Sequence, residues 1–387
     1  HTVFRIGESL AMQQSASRPQ GMIRPGSHQN PSRVAWGGLV HGLPLLGLMI
    51  LLLGFGGFLQ TVRAGVSESE ILESKREGGR TLVVALDGSG DYRSIQEAID
   101  EAEAGDTIRI KAGDYPEDVT IHSKQHIRIV GEDVERVRIL GLERVGSFHV
   151  GKWPYGATDI EIQGVTIAEH GGLALGIFNG SGIVLRDARV AGSLFGQQVK
   201  ELRIENCQVG GSETTGIQFA DSQAVLVGNV IHDNDHGVAV AGQSDVRLEN
   251  NVILRNLFEG VVVKDRARAV LRNNTIVKNG GGVAFRGASR SEVSGNIIGF
   301  NKVGFIVEPG STARITYNAL YNGDHEFRTE GAPNGASPVI ETEANLTVDP
   351  GFVDFARDDF RLRADSPLTR IGDFAYLGAF APITSQP

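Results

Sequence analysis

Asparagine recurs at Asn229, Asn251, Asn274, Asn296 and Asn318, 22 or 23 residues apart, and each opens the same phrase. The phrase runs Asn, two mostly apolar residues, two variable ones, a second Asn, a short gap with Gly, then apolar-x-apolar. It reads NVIHDNDHGVAV, NVILRNLFEGVVV, NTIVKNGGGVAF and NIIGFNKVGFIV. A fixed period of about 20 to 50 residues means stacked units, none of which buries its apolar face alone. In Val261-Val262-Val263 and Phe305-Ile306-Val307 the first and third residues share a face, and the preceding Gly marks a tight turn before a short strand. No unit contains a stretch of 3.6-residue periodicity long enough for a helical repeat. Three short strands and three bends fit one period, so the chain is an all-β solenoid, each repeat one turn of a parallel β-helix.

Equivalent residues of successive coils then lie about 4.8 Å apart. A buried side-chain amide at such a spacing donates to one neighbour and accepts from the other. Asn234, Asn256, Asn279 and Asn301 form a second such column at another corner. An apolar column runs further back, through Ile167, Val190, Val209, Ile231, Ile253, Ile276, Ile298 and Leu320. Cys207 falls in the main Asn column and reads as an inert, small interior filler.

Composition narrows the partners. A formal charge of -9 with no Lys/Arg-dense run argues against nucleic acid. An acidic protein engages an anionic polymer only through a local basic strip or a bridging cation. The lone cysteine excludes an internal disulfide.

Residues 1–33 are polar and aperiodic and are expected to be disordered. Residues 34–64 contain a nearly uncharged apolar run, 34–62, long enough to span a bilayer. Two readings stay open: a cleaved signal peptide ending at Val62-Arg63-Ala64, or an uncleaved signal anchor holding the protein on a membrane. Both export the solenoid. A charged linker, 65–80, leads to the β-helix, 81–330, and a closing segment, 331–387. Ser94 and Glu97 form a capping box, Ile95, Ala98, Ile99 and Ala102 one apolar stripe, and Gly105 a stop. A short capping α-helix there would cover the open end of the first coil. Phe352, Phe355 and Phe360 are expected to cover the last one.

The run DGSGDYRSIQEAID, with GDTIRI and GDYPEDVTI after it, resembles the N-terminal cap and first coils of pectin-lyase-like β-helix proteins, especially pectin methylesterases. Gly113, Tyr115 and Glu117 match the G-x-Y-x-E signature of those esterases. The resemblance implies a single-stranded right-handed parallel β-helix with a short N-terminal capping α-helix. The later esterase motifs (QDTL-like, DFIFG-like, LGRPW-like) have no counterpart here, so the match speaks for fold rather than ester hydrolysis.

Alignment on the Gly before each strand puts Ala220, Ala241, Lys264, Arg286 and Glu308 in one outward column. A base that removes the C5 proton of a uronate beside a cation that neutralises its carboxylate is what β-elimination requires. Lys264 as base, Arg286 as clamp and Glu259 as a Ca²⁺ ligand resemble the arrangement in alginate- and chondroitin-type lyases; a solvated charge ladder is the alternative. His232, Asp233 and His236, with Arg255 and Lys278 stacked on Asp233, are a second candidate for substrate binding, in a groove shared with Lys264, or else simply turn residues. Trp153 and Tyr155 interrupt the strands in a loop, either to stack on a sugar ring or to pack on the coil face. The expectation is an exported carbohydrate-active β-helix that engages an acidic polysaccharide, by lyase chemistry or as a non-catalytic binder or scaffold, with esterase activity ranked last. A monomer is expected.

Overall fold

The computed structural model describes residues 79–142, 146–330 and 337–383. The expected disordered start, the signal or anchor segment and nearly all of the linker lie outside the described residues. The chain winds as a right-handed parallel β-helix with three faces. The first face is a sheet of 12 parallel strands, from Thr81–Val84 to Val339–Glu343. The second runs from Gly113–Tyr115 to Ala319–Tyr321 and the third from Val119–Ile121 to His325–Thr329. Two long strands, Thr166–Phe178 and Arg189–Gln197, bend round a corner and serve both of these faces.

The apolar column stands as read from the sequence, with Ile167, Val190, Val209, Ile231, Ile253, Ile276, Ile298 and Leu320 in register. Each corner after the first face is closed by a left-handed residue just ahead of the ladder Asn: Gly228, Asn250, Asn273 and Gly295, with φ of 68, 56, 52 and 72°, and, as the exception in residue type, Tyr317 at 57°. Only Gly, and less readily Asn or Asp, takes that conformation at low cost, which is why those residue types recur there. The following Asn then donates twice to the next winding. Asn251 gives its backbone N–H and its Nδ2–H to Asn274 Oδ1, both at 2.9 Å, and Asn274 repeats this on Asn296 at 2.8 and 2.9 Å. Cys207 takes its place in the column by donating its N–H to Asn229 Oδ1 at 2.9 Å. Burial pushes its thiol up to about 12, so it is a neutral filler.

Both ladders run beyond the periodic stretch. The first continues to Asn345, which accepts from Asn318 at 2.9 and 3.0 Å. The second reaches Asn322, where the Glu326 carboxylate receives the amide's backbone and side-chain donors at 3.1 and 2.6 Å and ends the column. The coil array accordingly extends past residue 330: Val339–Glu343 pairs with Thr312–Thr316.

The cap helix, Ile95–Glu101, buries Ile95, Ala98 and Ile99 against the first coil. Ser94 is its N-cap, accepting from Glu97 N at 3.3 Å. The acidic half of the cap comes from elsewhere: Glu117 accepts from Ser94 Oγ, Ile95 N and Gln96 N at 2.7, 2.8 and 3.1 Å. Glu117 of the G-x-Y-x-E run is therefore a helix-capping residue here, and buried Tyr115 bonds Lys111 O at 2.7 Å. The helix stops at Ala102, three residues before the expected Gly105.

The closing segment does not cover the last coil as expected. It folds back along the second face, where Phe352, Phe360, Leu362, Leu368 and Leu377 pack on the outward Val252, Leu254, Val277 and Ile297. These outward aliphatics cannot be left wet on a flat sheet, and the tail supplies their partner.

The ladder makes a quantitative demand. Asn274→Ala leaves two buried donors of Asn251 without an acceptor, a loss of about 2–5 kcal/mol. Urea unfolding will show it as a lower midpoint. A change no larger than that of an exposed alanine substitution would contradict a load-carrying ladder.

Candidate functional site

Outward residues of the third face form two long columns. One passes through Thr120, His149, Gly176, Phe195, Gln218, Ala239, Val262, Ala284 and Ile306. The other passes through Phe178, Gln197, Ala220 and Ala241. Lys264, Arg286 and Glu308 continue it, each donating its backbone N–H to the preceding coil at 2.9, 2.8 and 2.9 Å. The charged column read from the sequence is thus real, and so is its alanine approach.

At the N-terminal end of this face Thr120, His149, Lys152, Trp153, Phe178 and Gln197 line an open pocket of about 460 Å³. Trp153 is 73% and Tyr155 62% exposed. His149 lies 5.9 Å from the Phe178 ring, which meets Phe195 edge-on at 5.9 Å. Sequence reasoning found Trp153 and Tyr155 but missed His149, Phe178 and Phe195. Further along, Ala220, Ala239 and Ala241 give a floor of small side chains. About four windings of roughly 4.8 Å separate Phe178 from Lys264.

Lys264 is exposed, while Arg286 is not an open clamp. Its guanidinium stands 2.9 Å from Glu259 Oε1 and 3.2 Å from Glu308 Oε1. Glu259 is only 8% exposed and its other oxygen stands 3.0 Å from His236 Nδ1. Burial works to raise the Glu259 carboxyl, but His236 and the Arg286 charge outweigh it and hold it below the ordinary value. Glu259, the expected Ca²⁺ ligand, has both carboxylate oxygens engaged in this structure. Ca²⁺ takes about 6–8 oxygens; here a guanidinium and an imidazole occupy the carboxylate. Among the described residues no group of three or more His, Cys, Asp or Glu is placed to hold a metal ion. His236 also lies against Phe258, ring centroids 5.2 Å apart, and Phe258 is 50% exposed.

The remaining candidates part company with His236. Asp233, Arg255 and Lys278 are the left-handed corner residues at φ of 55, 51 and 58°, between the second and third faces. Asp233 holds Arg255 through two bonds of 2.9 Å and His232 Nδ1 at 2.7 Å. The tail sits on top. Asp358 pairs with Arg255 and, at 2.6 Å, with Lys278, whose Nζ also lies 4.2 Å from the Phe355 ring centroid. The shared groove expected for these residues and Lys264 does not form. Arg255 and Lys278 serve to dock the closing segment, and the third-face column runs along the other end of the strands.

Two family models match the chain. One, described as periplasmic copper-binding protein (NosD), covers residues 155–337, and the other, pectinesterase, covers 81–169. No curated protein matches in sequence. The periplasmic alginate epimerase AlgG is 12% identical with a TM-score of 0.43, over 63% of this chain and 77% of that one. The Azotobacter vinelandii mannuronan C-5 epimerase AlgE4 A-module is 15% identical with a TM-score of 0.47, over 75% and 95%. Pectate lyase Pel9A is 15% identical with a TM-score of 0.42, over 79% and 96%. The fold is a pectin-lyase-like parallel β-helix.

Acid tests the docking cluster. Arg255 draws the Asp233 carboxyl down to about 2, against opposing burial and with His232 assisting. A folded-state value below the unfolded 3.8 means its contribution is full above about pH 4 and fades as pH falls towards 2. Between those limits, urea midpoints of Asp233→Asn at low salt will fall less steeply than those of the unaltered protein. Parallel slopes would contradict the pairing.

Proposed function

We propose that the protein is exported and engages an acidic polysaccharide along the outer third face. The observation that carries this reading is one continuous surface. Exposed Trp153 and the Phe178 pocket offer sugar-stacking planes, a floor of alanines follows, and the exposed Lys264 cation stands beyond it. Lys152 at the aromatic end and Lys264 at the other give an acidic polymer two local positive contacts on a protein whose net charge is -9. The apolar run 34–62 supports export, and the word periplasmic in the description of one matching family accords with it.

In its catalytic form the proposal is β-elimination. Lys264 takes the C5 proton, the C4–O bond breaks, a C4–C5 double bond forms, and the leaving oxygen takes up a proton. Arg286 would clamp the uronate carboxylate by exchanging it for Glu308 or Glu259. That pre-existing neutralisation of Arg286 favours a second reading, a binder without lyase activity, in which the same surface holds the polymer and leaves it intact.

Pectate, alginate and chondroitin, each with and without Ca²⁺, separate the two. Ultraviolet absorbance of unsaturated uronates, abolished in Lys264→Ala, is the lyase result. Absence of signal on all polymers, with binding retained, selects the second reading. In both, Trp153→Ala weakens polymer affinity by about 3- to 10-fold. Unchanged affinity in that variant, or no binding to any acidic polymer, would overturn the proposal.

A further inference from the structure

The two ends of the solenoid are treated differently. The cap helix closes the N-terminal end. At the other end the last strands, His325–Thr329 and Val339–Glu343, each pair on one side only among the described strands. Among the described residues nothing covers the interior there. Phe327 continues the interior stack of Phe285 and Phe305, its ring 5.1 Å from that of Phe305. Phe285 and Phe305 are fully buried, whereas Phe327 is 37% exposed and Val339 56%. The closing segment lies along the second face instead. A free strand edge with apolar interior behind it recruits another chain unless it is guarded.

We propose that this end docks on the same end of a second copy, about a two-fold axis through Phe327. The charge pattern of the edge selects that occupant. Antiparallel pairing of His325–Thr329 with itself sets Glu326 opposite Arg328 of the second copy, and the reverse, so both cross-strand pairs unite opposite charges. The first-face edge offers no such match. Self-pairing of Val339–Glu343 about its centre would bring Glu341 against Glu341 of the second copy. The axis therefore belongs on the third-face strand. Glu326 already receives Asn322, but a carboxylate has acceptor sites to spare, and Arg328 needs only to turn from its exposed partner Glu330 at 2.8 Å. The cap at the far end blocks head-to-tail growth, so the contact closes as a dimer rather than a filament.

The reciprocal charges supply the test. Full-length protein in detergent is analysed by sedimentation for its mass. The unaltered chain sediments as a dimer. Glu326→Arg alone, and Arg328→Glu alone, place like charges in both pairs and weaken the dimer by about tenfold or more. Mixed one to one, the two variants restore it, because a copy with acids at both positions meets a copy with cations at both. A monomeric unaltered chain, single variants that remain dimeric, or a mixture that stays monomeric would each overturn the inference.

Discussion

The side-chain amide bond between one winding and the next is the interaction on which the rest of this structure depends. Sheets alone would hold successive strands at the right spacing, but they leave the corners free. Here Asn229, Asn251, Asn274, Asn296 and Asn318 tie one corner, and Asn234, Asn256, Asn279 and Asn301 another, with fully or nearly buried side chains. Each ladder amide satisfies the backbone N–H and the Nδ2 of its neighbour through one oxygen. Loss of one acceptor strands two donors in a dry interior, so the columns are strongly held to Asn. With the corners fixed, the three faces stay straight, and outward residues far apart in sequence become lateral neighbours.

The faces then divide the work. The second is closed by the tail, whose Phe355 packs on Phe300 at 4.1 Å while Asp358 holds Arg255 and Lys278. The first carries paired charges, with buried Glu161 between Arg128 and Arg186. Among the described residues the third joins an exposed aromatic pocket, a floor of small residues and a charged cluster in one line. A polymer that lies across successive windings suits such a surface, since each winding presents the same register of side chains.

What the sequence made legible was whatever obeyed the period. The Ile231 to Leu320 column and the Lys264, Arg286, Glu308 series follow from spacing alone, because a fixed repeat fixes register. Asn322 and Asn345 escaped because the spacing shifts there to 21 and 27 residues. Phe178 and Phe195 escaped because their strands bend round a corner and carry no repeat of the motif. Register also says nothing about where long side chains reach. Arg286 crosses to Glu259, 27 residues back, and Asp358 meets Arg255 across 103 residues. Non-periodic contacts of that kind decided the fate of the His232 to Lys278 cluster and of the closing segment.

Backbone hydrogen exchange at the corners addresses the ladder most directly. Asn229, Asn251, Asn274 and Asn296 lie outside the strands, where an ordinary turn amide exchanges readily, yet each N–H is bonded at 2.8–3.0 Å to the amide of the next winding. The account predicts that these four amides are among the slowest in the chain, opening only with the interior strands. Exchange at the rate of exposed turns would mean that the corners are untied and that the columns of the third face are not held in line.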